Sequence, residues 1–392
     1  MGGAKKEMIE AQDRGWYDIN EYICANCVDD EFLKLVIHSN STDNCCSYCG
    51  AKPTADANEL LPFIVETIKY YYADPASAGV ARDSGEWVYD GDFLNVEEVL
   101  YELGFEANEG FIADLCDAVE DNGYVKAYQG HYYSSSKSEV LSSAWSVFSH
   151  IVKYQTRYLF KDIEHEPSSV DDLSPAQFLQ SLGGIVKNQN LITKLPYGYT
   201  LYRARARTDD STWDINEESL GAPPQGKASS GRMNPIGISY LYTATDIDTA
   251  IEEVINNQPK VAVGEFKTTR ELKILDLTEL PDLPSTFDPD LREERQYILF
   301  LHRFQEEITK PIAKDGSEHI DYVPTQIISE YFSQFFDIDD PKKLDGICYR
   351  SSKSDTGKNV VLFPHAYEDE RNNCVEFVSS EEIDLLFKNS SF

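Results

Sequence analysis

Positive charge is scarce in this chain. Thirty-five Lys and Arg stand against 68 Asp and Glu over 392 residues, a formal net charge of −33. That imbalance argues against a broad basic face for nucleic acid or anionic lipid, and it makes any local gathering of arginines conspicuous. Long apolar runs are missing too. None reaches the roughly 18 residues of a membrane span, so no transmembrane helix is expected. The opening segment, MGGAKKEMIEAQDRGWYDINEY, lacks the apolar stretch of a secretory leader, and Lys6 stands where N-myristoylation wants Ser or Thr. A cytoplasmic, reducing setting is the expectation, in which cysteines serve as thiols or metal thiolates rather than disulfides. Common catalytic signatures are absent as well: there is no HExxH, no GxSxG and no GxGxxG. Gly357-Lys358 fails as a phosphate loop because Ser352 occupies the position of the required first glycine. Arg295 and His302 flank an apolar helical run and read as core rather than as a nuclease pair.

What remains is a globular composition, 41% hydrophobic and 12% aromatic, enough for real cores despite the charge. Five of the eight cysteines fall between Cys24 and Cys49. Cys24-Ala-Asn-Cys27 and Cys46-Ser-Tyr-Cys49-Gly50 are two C-x-x-C knuckles, and their spacing predicts a closed tetrahedral site for a structural Zn²⁺. Cys45 is a rival to Cys46, but only Cys46 gives the two-residue spacing. Cys116, Cys348 and Cys374 are isolated and read as small buried hydrophobes.

Helix signals dominate from Glu59 to Phe160. Apolar residues at 61, 64, 65, 68 and 72 follow a 3.6-residue period, and Asn95 is a capping residue. Glu164–Asp172 is polar and reads as a linker, after which Ser174-Pro175 opens another helix. Beyond Leu195, strands and helices alternate irregularly, which predicts an α+β class rather than a regular βαβ winding. The division expected is a zinc knuckle over 1–55, a helical domain over 56–165, and an α+β domain over 166–392.

Arg203, Arg205 and Arg207 alternate along one predicted strand and so share a face. They either pair with carboxylates or grip a phosphate. Gly221 to Pro235 is a Gly/Pro-rich loop carrying Arg232.

Six segments in fixed order then resemble one family. They are Leu201-Tyr-Arg203-Ala-Arg205, Pro223-Pro224, Gly231-Arg232-Met-Asn-Pro235, Leu241-Tyr242, Thr249-Ala-Ile-Glu-Glu253-Val254, and Asp345-Gly-Ile-Cys-Tyr-Arg-Ser351. Together they resemble the RES domain, over about 195–366. The cysteine and helical segments before it resemble the HEPN/RES N-terminal domain. The resemblance implies a fold like the ADP-ribosyltransferase toxins and cleavage of the nicotinamide–ribose bond of NAD⁺, with water or phosphate as acceptor. It further implies a role as a toxin or anti-phage effector. Carried over, Glu253 is the catalytic carboxylate, with Glu252 as a lesser rival. Ser351 orients the ribose and supports Glu253, Arg203 and Arg232 hold the diphosphate or ribose, and Tyr242 packs against nicotinamide or its ribose. All five are expected to converge on one dinucleotide. ADP-ribosyl transfer to a macromolecule, and a non-catalytic NAD-binding or sensor protein, remain alternatives. An inhibitor or antitoxin protein and a second copy of the chain are open partners.

Overall fold

A computed structural model describes residues 3–120, 123–160, 173–208, 211–255, 259–312, 316–336, 343–354, 356–367 and 373–385. The chain forms two compact units. One comprises Met1–Ser138 with Asp282–Tyr297, the other Glu139–Pro281 with Ile298–Phe392. The linker expected at Glu164–Asp172 lies outside the described residues. The units do not coincide with cuts at 55 and 165. The cysteine cluster and the helices behind it share one core, and Phe287 of the 282–297 segment belongs to that core.

The first unit is mainly helical. Leu61–Tyr71 buries Leu61, Ile64, Val65 and Ile68, the face its periodicity predicts. Asn95 and Glu98 close a reciprocal capping box at the start of Val96–Glu102. Glu31–Ser39 starts at Asp30, whose carboxylate accepts the Leu33 N–H at 3.0 Å. That short helix was not read from the sequence.

The second unit is built on an eight-stranded mixed sheet. Its strands are β1 (Ile192–Leu195), β2 (Thr200–Arg207), β3 (Leu241–Ala244), β4 (Lys260–Thr268), β5 (Leu272–Asp276), β6 (Gly346–Arg350), β7 (Lys358–Leu362) and β8 (Val375–Asp384). Their order across the sheet is β8-β4-β2-β3-β7-β6-β5-β1. The β5–β6 pair is parallel and the other pairs are antiparallel. Two faces are covered by different partners. Leu201, Leu241, Val360 and Leu362 pack on Leu220 and Ala366 on one side, while Ala204, Ala244, Val261 and Val263 pack on Ala250 and Ile251 on the other.

One ion pair ties the β5–β6 region together. Asp345, 5% exposed, accepts Arg270 at 2.7 and 3.0 Å and the Lys273 N–H at 2.9 Å. The hydrogen bond to Asp345 raises the Arg270 pKa. Replacing Asp345→Ala leaves a half-buried guanidinium without its counter-charge. We expect a loss of about 3 kcal/mol of unfolding free energy in a urea titration, whereas Asp345→Asn, which keeps one acceptor, loses less.

Candidate functional site

The carboxylate of Glu253 is held from two directions. It sits in the last turn of the helix Ile247–Val254, which starts where Asp246 accepts the Thr249 N–H at 2.7 Å. The helix lays Ala250 and Ile251 on the β2–β3–β4 surface. Glu253, three residues after Ala250, therefore lies beside the sheet rather than in solvent. Ser351 Oγ donates to Glu253 Oε1 at 2.6 Å, and Asn359 Nδ2 donates to the same oxygen at 2.7 Å. Both donors are buried, at 8% and 6% exposure. Among the described residues nothing donates to Oε2, which leaves one carboxylate oxygen for another partner.

Ser351 is itself fixed. Its N–H donates to the Gly357 carbonyl at 2.8 Å, and its hydroxyl accepts the Lys353 N–H at 3.1 Å. Lys353 Nζ then donates to the carbonyls of Glu252 and Glu253, at 3.0 and 2.6 Å, placing a cation on the C-terminal end of the helix. Gly357 packs against the Thr249 side chain so closely that a Cβ there would collide with it. The requirement for glycine at 357 is thus steric, with no phosphate loop involved.

Strand register identifies further members. Tyr202 pairs with Ala244, Ala244 with Asn359, and Asn359 with Tyr349. Residues directly opposite share a face, so these four form a row under the helix that carries Glu253. Tyr349 is buried, and burial, followed by the nearby Glu253 charge, drives its phenol pKa well up, while Arg232 pulls it back. The hydroxyl thus stays neutral, within the electrostatic reach of both Glu253 and Arg232. Asn359, Tyr349 and Tyr202 were not singled out from the sequence. Their signal was available in principle, as polar residues inside otherwise apolar strands, but without register nothing set their common face.

The same register corrects the expected convergence. Arg203 follows Tyr202 and pairs with Gly264, so it points to the opposite face of the sheet from Glu253, Asn359 and Tyr349. Its guanidinium donates to the carbonyls of Gly221 and of Leu220, the latter at 3.1 Å. Burial, with Arg205 beside it, lowers its pKa to about 10. Arg205 donates to the Ser219 carbonyl at 2.7 Å, and Arg207 to the Trp213 carbonyl at 2.9 Å while pairing with Glu382 at 2.8 Å. Both guanidiniums also lie over the Trp213 ring, 4.6 and 4.7 Å from its centroid. The arginine row is a clamp on the 213–221 segment, satisfied by carbonyl oxygens, and Arg203 fixes the start of the Gly/Pro loop.

Arg232, at the far end of that loop, is on the Glu253 side. Tyr242 donates to Asn234 Oδ1 at 2.7 Å and accepts the Met233 N–H at 2.9 Å, which pins the Gly231–Asn234 turn onto the sheet. Gly231 leaves no room for a Cβ between Asn234 and Tyr242. Burial pushes the Tyr242 phenol far up and keeps it neutral, and its hydroxyl is fully engaged by this turn. Arg232 donates to the carbonyls of Ile308 and Lys310, at 2.5 and 3.0 Å, and stands 5.6 Å over the Tyr322 ring.

In the other unit, Cys24, Cys27, Cys46 and Cys49 bring their sulfurs within 4.8 Å of one another, a set able to hold a metal ion. Cys45 is exposed and outside the cluster. Gly50 at φ +78° turns the chain after the second knuckle, its N–H donating to the Cys46 carbonyl at 2.8 Å. Burial opposes ionisation of Cys46, but N–H groups of Tyr48 and Cys49 bring its pKa down to about 7. Burial and the adjacent thiols raise Cys24 and Cys27.

If Arg203 is a clamp, Arg203→Ala leaves two carbonyls without donors. The expected effect is a loss of about 1–3 kcal/mol of stability in chemical denaturation. A substitution at a purely ligand-gripping arginine would leave the unliganded protein as stable as before.

Two known domain families match stretches of the chain. Residues 200–385 match the RES domain, and residues 39–166 match HEPN/RES N-terminal domain 1. No curated protein matches the chain. The RES match takes in Glu253, Ser351, Asn359, Tyr349, Tyr242 and Arg232, and it runs past the 366 expected from sequence to include β8. Residues 200–385 are thus a RES domain, preceded over residues 39–166 by HEPN/RES N-terminal domain 1.

Proposed function

We propose that the RES domain cleaves the bond between nicotinamide and ribose in NAD⁺, using Glu253 as the catalytic carboxylate. RES domains are associated with NAD-related enzyme activity, which supports NAD⁺ as the substrate. The observation that carries the reading is Glu253 itself: one oxygen is fixed by Ser351 and Asn359, and the other has no donor among the described residues.

The chemistry suits such a group. When the C–N bond breaks, its electron pair leaves with nicotinamide, which departs neutral and needs no proton. Positive charge develops on the ribose as an oxocarbenium-like centre. A carboxylate whose orientation is already set stabilises that charge without reorganising. Ser351 and Asn359 do the positioning, and Oε2 faces the ribose hydroxyls or the cation. Phosphate, or water that gives up one proton to the solvent, then adds to the ribosyl carbon. Tyr202, the half-buried tyrosine of that row, offers aromatic surface for the nicotinamide ribose, and Tyr242 acts by holding the 231–234 turn. Arg232 is the cation proposed to meet the diphosphate. Cellular depletion of NAD⁺ by a toxin or defence effector is the biological role this reading suggests.

For the cysteine cluster the reading is structural Zn²⁺. Sulfur separations of 3.7 and 3.8 Å match the edge of about 3.8 Å in a tetrahedron with bonds of about 2.3 Å, and the Cys24–Cys49 separation of 3.3 Å is shorter. Four thiolates leave no open position for catalysis.

Two measurements test this. Purified full-length protein incubated with NAD⁺, with and without phosphate, should release nicotinamide together with ADP-ribose or its 1″-phosphate. Glu253→Gln should lower that rate by at least about a hundredfold while the fold is unchanged. Intact NAD⁺ over soluble, metal-loaded wild-type protein defeats the proposal, and ADP-ribose found on a macromolecule would favour transfer. Separately, elemental analysis should find one zinc per chain, with Cys46→Ser largely metal-free and less stable; a chain that purifies without metal yet is equally stable removes the zinc assignment.

A further inference from the structure

A cavity of about 640 Å³ lies within the second unit, with Arg232 in its lining. One wall is the helix Lys137–Tyr154, which precedes the RES match, and the other is the helix Arg292–Thr309 within it. None of Glu253, Ser351, Asn359 or Tyr349 lines it. It is therefore a second site, made by adding a non-RES helix to the RES domain.

Its chemistry is selective. Lys153, Arg232, Arg303 and Lys310 line it, four of the chain's 35 basic residues in one cavity of a protein with net charge −33. Three carboxylates also face it. Asp321 pairs with Lys153 at 2.9 Å, and Glu307 with Lys310 at 3.8 Å. That leaves Glu306, which is exposed, and Arg303, whose guanidinium has no hydrogen bond or ion pair among the described residues. Trp145 stands in the same wall, packed by Phe304 at 5.1 Å, and its indole N–H has no acceptor among the described residues. Next to it the Ser149 hydroxyl is buried and unpartnered. An unpaired guanidinium, an aromatic ring and unused donors together fit a flat aromatic group attached to an anion.

Arg232 links this cavity to the reaction centre. Its guanidinium is held by the Ile308 and Lys310 carbonyls at the end of one wall, and it also acts electrostatically on Tyr349, which lies beside Glu253. The geometry points to a regulatory site for a small aromatic anion of the nucleotide-monophosphate class, which binds against Trp145 and Arg303 and alters catalysis by shifting Arg232. The regulatory half rests on the proposed NAD⁺ cleavage; the binding half does not.

The probe is GMP, an aromatic phosphate that is not a fragment of NAD⁺, added to full-length protein while tryptophan fluorescence is followed. Saturable quenching is expected in the wild type and equally in Glu253→Gln. Arg303→Ala, an exposed position outside the catalytic machinery, should weaken binding at least about tenfold. No quenching, or quenching indifferent to Arg303, overturns the site. In the activity arm, saturating GMP should change the rate of NAD⁺ loss at least about threefold in the wild type and leave the Arg303→Ala rate unaffected. Binding without any change of rate overturns the regulatory role. A wild type that binds GMP but never consumes NAD⁺ overturns the proposed function and keeps the site.

Discussion

The hydrogen bonds that Ser351 and Asn359 give to one oxygen of Glu253 are the constraint around which the second unit is organised. Three separate parts of the chain must arrive together for them to exist: a short capped helix, the end of β6, and a polar residue in β7. Buried donors aimed at a carboxylate are costly unless it is present, and a carboxylate beside a sheet is costly without them. The arrangement is therefore all or nothing. It also divides the labour within the carboxyl group, since the oxygen that is fixed and the oxygen that is available are different atoms.

Much of this was legible in the residues. The paired knuckles picked Cys46 over Cys45, and the sulfurs cluster as the spacing requires. The helix over 61–71, the Asn95 cap and the Ser174 cap followed directly from local periodicity and capping chemistry. Glu253 and Ser351 were found through the order of motifs in the family, and they meet.

What was not legible depends on register. Adjacent residues on a strand face opposite ways, so a motif that is contiguous in sequence is split in space. Leu201-Tyr-Arg203 looked like one unit. In the fold Tyr202 joins Ala244, Asn359 and Tyr349 on the Glu253 face, and Arg203 goes to the other side to meet carbonyl oxygens. A lone arginine in a strand carries no mark of which face it takes. Asn359 was hidden for a related reason: between Lys358 and two valines it looks like a strand residue among others, and only the approach of the 247–254 helix gives it a carboxylate to hold.

The compact units carry a consequence for how this protein can be taken apart. Residues 282–297 fall inside the RES match, yet Phe287 completes the core that also contains Cys24, Cys27 and Cys46. The polypeptide crosses between the two bodies more than once, so no single scission separates them cleanly. A fragment starting after the N-terminal domain would carry an orphaned aromatic plug, and the remainder would have a hole where that plug belongs. Modularity at the level of motif order is thus not modularity at the level of folding, and loss of the cysteine cluster would be felt by a segment lying more than two hundred residues downstream of it.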